Sequence, residues 1–174
     1  MASMRMMAVV AAFALSGCAA EMMQSTPMPA VVDTASFSMK SWGRLLHQWT
    51  MDADGRVEHV QNPEPFGDRA KQELLVRRIV LTPGQRQSLT VAIDAVKAKL
   101  AEPEDCRRRM TDGPYGDLEW VIAGTPAKLP WNANCTEGRD AELSSAVSKV
   151  DRIVDDAARA TAVVERRPVD RGAL

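Results

Sequence analysis

The sequence predicts an α+β domain: a mostly antiparallel sheet (hairpin, strand, then three-stranded meander) packed with two amphipathic helices. Segments of alternating apolar and polar residues are divided by short Asp, Gly and Pro turns, whereas two longer stretches repeat their apolar residues at helical spacing. The strands also come in runs, unlike the regular strand and helix alternation of a parallel fold.

The first element is a hairpin over Leu45 to Val60. Leu45, His47, Trp49 and Met51 alternate with Leu46, Gln48 and Thr50; Asp52, Ala53, Asp54 and Gly55 form the turn; Arg56 to Val60 run back. With Gly55 in the left-handed position of a bulged loop, Met51 faces Val57 and Trp49 faces His59. Pro63, Pro65 and Gly67 interrupt the chain, and Leu74 to Leu81 follow as a third strand.

Thr82, Pro83 and Gln85 then read as N-cap, first helical residue and capping-box partner. Leu89, Ala92, Ile93, Val96 and Leu100 form the apolar stripe of this helix, and Glu102 and Pro103 end it. Cys106 to Met110, Leu118 to Ile122 and Ala127 to Trp131 form the meander, separated by turns at Asp112 to Gly116 and Gly124 to Pro126. A closing helix runs from about Asp140 to Val164, with Leu143, Ala146, Val147, Val150, Ile153, Val154, Ala157, Ala160 and Val164 on one face.

In the 174-residue chain, 22 basic residues nearly balance 23 acidic ones, so no field draws it to a phosphate backbone and no nucleic-acid partner is expected. A hydrophobic content of 45% with 26% charged residues places it among globular chains. The N-terminus is different. Arg5 precedes an apolar run from Met6 to Leu15, too short to span a bilayer, and the run leads into Leu15-Ser16-Gly17-Cys18. This resembles the bacterial lipoprotein signal, in which cleavage precedes a cysteine that becomes acylated.

The resemblance implies a signal peptide over 1–17, removed before Cys18, and lipidation of Cys18. Ordinary secretory cleavage, for example after Ala20, is the alternative. Several acyl chains give stable membrane anchoring where one is marginal. Ala19, where an aspartate tends to retain such proteins at the inner membrane, implies an outer-membrane position facing the periplasm. Residues 18–36, with Pro27 and Pro29 among Ser, Thr, Met and Ala, read as a tether with a reach of roughly 25 Å; the domain is expected over 37–165, and 166–174 as a loose tail.

With Cys18 assigned to lipid, Cys106 and Cys135 remain, an even pair in an oxidising compartment, and a disulfide is expected between them. Asp54-Gly55, Leu81-Thr82-Pro83-Gly84-Gln85, Thr111-Asp112-Gly113-Pro114 and Val150-Asp151 together resemble bacterial envelope domains of unknown function over about Trp42 to Val154. That resemblance implies no activity and no catalytic residues.

Short signatures for nucleotide, zinc-protease and serine-hydrolase chemistry are absent from the sequence, so no catalytic residue and no cofactor is assigned. His47 and His59, on paired strands, are weak metal or base candidates with a carboxylate from Asp52, Asp54 or Glu58, provided that the register puts both on one face. Arg107, Arg108 and Arg109 form either an anion site with Arg77 and Arg78 or a solvated, ion-paired edge. Core packing is the first reading of Trp120 and Trp131; the alternative makes Tyr115, Trp131, Asn132 and Asn134 the candidate binding surface, suited to carbohydrate or protein. The leading expectation is a membrane-anchored, non-catalytic interaction module binding an envelope protein or cell-wall polymer. The alternatives are an envelope enzyme or metal-dependent protein using His47 and His59, and a small inhibitor of periplasmic hydrolases.

Overall fold

A computed structural model describes residues 30–169; Cys18, the leader and most of the expected tether lie outside that range. The elements are β1 (Val32–Ser41), β2 (Arg44–Met51), β3 (Arg56–Gln61), β4 (Glu73–Val80), α1 (Pro83–Leu100), β5 (Arg108–Arg109), β6 (Tyr115–Ile122), β7 (Thr125–Asn132), β8 (Cys135–Glu137), α2 (Arg139–Arg159) and β9 (Glu165–Pro168). Seven strands form one antiparallel sheet in the order β7-β6-β1-β2-β3-β4-β9, and β5 pairs with β8 in a separate two-stranded ribbon. The chain is therefore α+β, with α1 and α2 packed on one face of the large sheet.

The β2–β3 hairpin has the expected register: Met51 pairs with Val57 and Trp49 with His59. Asp52 Oδ1 accepts hydrogen bonds from the Asp54 and Arg56 amides, and Gly55 takes a positive φ of 79°, which costs glycine little. Helix α1 opens with the capping box of Thr82 and Gln85, and its residues Leu89, Ile93 and Val96 are fully buried. Leu100 stays exposed, so the buried stripe ends one turn early.

The expected tether gives way to structure earlier than its composition indicates. Val32–Ser41 is β1, a central strand between β6 and β2, so the domain begins about five residues before position 37. Ala35, Phe37 and Met39 point to the helices, while Ser36 and Ser38 alternate outward; short side chains and the prolines upstream disguise this period of two. The tail also changes. Helix α2 stops at Arg159 instead of Val164; the Val164 amide then donates to Val76 O, and Glu165–Pro168 pairs with β4, capping a row of backbone groups that would otherwise be unpaired.

The meander is likewise divided. Arg108–Arg109 leaves the main sheet to pair with β8, whereas β6 and β7 join β1. Gly116 permits the β1–β6 approach, because a Cβ there would lie 1.8 Å from Ser38 O. Cys106 and Cys135 form a disulfide, with Cα atoms 5.6 Å apart, which in the chain-entropy account stabilises the fold by about 3 kcal/mol.

The core lies between the helices and the covered sheet face. Phe37 stacks between Trp49 and Trp131, with ring centroids 5.9 and 5.4 Å away, and Leu118, Leu129, Ile93, Val147, Val150 and Val154 pack around them. Each such buried side chain contributes roughly 1.5–3 kcal/mol. Among the described helices, none is long and apolar enough to cross a membrane.

Candidate functional site

Alternation along β2 and β3 turns His47, Trp49 and His59 to the helix-covered face. The two imidazoles lie 5.8 Å apart between ring centroids, and α2 lays Asp151 and Asp155, one helical turn apart, against them. His47 Nε2 is 2.9 and 3.0 Å from the two oxygens of Asp151, and Trp49 Nε1 donates to Asp151 Oδ1 at 3.0 Å. His59 Nε2 lies 2.9 Å from Asp155 Oδ1, while Arg159 Nε approaches Asp155 Oδ2 at 2.7 Å. An ionised carboxylate only accepts, so each Nε2 carries a proton.

Burial pushes the Asp155 carboxyl upward. The hydrogen bonds from His59 and Arg159, with the charges of Arg159 and His47, outweigh that and bring it from 3.8 down to about 2. His59 Nδ1 and Arg77 Nε, on directly paired residues, are buried without hydrogen-bond partners among the described residues.

The geometry brings His47 and His59 together, as one register predicts, but with different carboxylates. Asp52 and Asp54 sit in the exposed β2–β3 turn beside Arg56, and Glu58 lies on the opposite sheet face, bonded to Arg78 and Arg167. Asp151 and Asp155 are the residues that sequence reasoning missed. The signal was available: Asp151 falls within the buried stripe of Val147, Val150 and Val154, where an unpaired carboxylate is costly. With His59 wholly enclosed and His47 nearly so, this cluster acts as a clasp holding α2 on the sheet; its Nε2 atoms are already engaged, which does not suit a metal site. Among the described residues, Cys106, Cys135 and Asp140 have metal-like proximity, but the two sulfurs are bonded to each other and offer no thiolate.

The arginines disperse as an ion-paired edge: Arg107 meets Asp105 at 3.3 Å, Arg108 meets Glu137 at 3.7 Å, and Arg78 joins Glu58 and Glu165. Arg77 lies on the other face and donates to Gln61 Oε1. The Glu58 carboxyl is held below the usual range, chiefly by its hydrogen bond from Arg167.

The sheet face away from the helices is mainly polar over β1, β2, β6 and β7, whereas over β3 and β4 it carries Val60, Val76 and the exposed Val80. Thr34, Ser36, Ser38, Gln48, Thr50, Asp117, Glu119 and Lys128 follow the outward register of β1, β2, β6 and β7. One shallow depression, about 410 Å³, is bordered by Thr50, Arg56, Glu58 and Arg78 together with Val57, Ile79 and Val80.

The expected surface of Tyr115, Trp131, Asn132 and Asn134 is split by the pleat. Trp131 pairs with Gly116 and turns inward, 5% exposed and stacked on Phe37, so it takes no part in a rim. Tyr115 and Asn132 are directly paired and point to the uncovered face. Asn134 Oδ1 is occupied by the Gly113 amide. Tyr115 Oη accepts from the Gly43 amide at 3.0 Å, in the β1–β2 turn whose neighbouring residue is Trp42, 69% exposed. Arg44 Nη1, just beyond the turn, donates to Pro65 O in the loop that carries exposed Phe66. Trp42 and Phe66, overlooked in the sequence because no periodic pattern includes them, thus accompany Tyr115 at one end of the sheet.

Among known protein families, curated proteins and solved structures, none matches this chain.

Proposed function

We propose that the chain is a lipid-anchored envelope protein, held through Cys18 at the outer membrane and facing the periplasm, whose α+β domain is a non-catalytic binding module. The observation that carries this reading is the Cys106–Cys135 disulfide, a bond suited to an oxidising compartment, in a chain whose leader ends in Leu15-Ser16-Gly17-Cys18. Binding is preferred to catalysis because both histidines are spent on Asp151 and Asp155 inside the core, while the exposed aromatics gather on the outside.

Mass spectrometry of the mature protein tests the anchor: it should begin at an acylated Cys18 and yield a peptide linking Cys106 to Cys135. Cys18→Ala should move the protein out of the membrane fraction. An unmodified Cys18 together with two free thiols at 106 and 135 would overturn the reading.

A further inference from the structure

We draw no further inference here: the strongest candidate, the exposed aromatic cluster of Trp42, Phe66 and Tyr115 at the end of the sheet where β1 turns into β2, is an unpartnered surface, and nothing in the structure shows what covers it.

Discussion

His47, His59, Asp151 and Asp155 lie in the core between sheet and helix; Trp42, Phe66 and Tyr115 stand in solvent at the sheet end. The first group has the residue types of catalysis but spends them on one another, each Nε2 against a carboxylate. The second has residue types of a core but is left outside, one member on a strained backbone. Residue type alone would assign the two roles the other way round. Burial decides, because a buried charge must find a partner, whereas an exposed aromatic has apolar surface left to cover.

The clasp should be the more costly region to damage. Asp151→Ala leaves the buried His47 and Trp49 donors without their acceptor and should lower stability by about 3–5 kcal/mol, read as a fall in urea midpoint at unchanged slope. A loss below about 1 kcal/mol would mean that the clasp is not what holds α2. Next is the disulfide, which closes the ribbon leading toward Tyr115: reduction should cost about 3 kcal/mol while leaving the acid response of the clasp intact.

Asp155 provides that acid response. Its folded value of about 2 lies below the ordinary 3.8, so its contribution is present above about pH 4 and is lost as pH falls toward 2. The part so lost should be about 2 kcal/mol, and Asp155→Asn should flatten the stability profile across that window in denaturation series at fixed pH. The smallest effects belong to the sheet end. Trp42→Asn, which relieves the left-handed strain, should raise stability by about 1 kcal/mol, and Tyr115→Phe, which removes one acceptor for the Gly43 amide, should cost about 0.5–1 kcal/mol. Thermal melts of both variants beside Asp151→Ala would place the two regions on one scale.

Much of the fold was legible. The β2–β3 register followed from Gly55 and alternation, the start of α1 from Thr82, Pro83 and Gln85, and the cysteine pairing from parity. β1 escaped because Thr34, Ala35, Ser36 and Ser38 resemble the linker before them. β9 escaped because Glu165 to Pro168 contains no apolar residue, its pairing being dictated by the open edge of β4. Of the expected binding surface, Tyr115 and Asn132 stand at the sheet end and Asn134 supports it, but Trp131 went inward, since a shift of one residue along a strand reverses the face.

The sequence by itself determined what is settled within a few residues: turns, caps, the two helices and the α+β class, because these depend on local sterics and hydrogen bonds. Only the tertiary structure decided that Asp151 meets His47, 104 positions away in the chain, and that Trp42, Phe66 and Tyr115 share one end of the sheet. Such meetings depend on how α2 docks and how the strands order themselves, and no local pattern of residues encodes either.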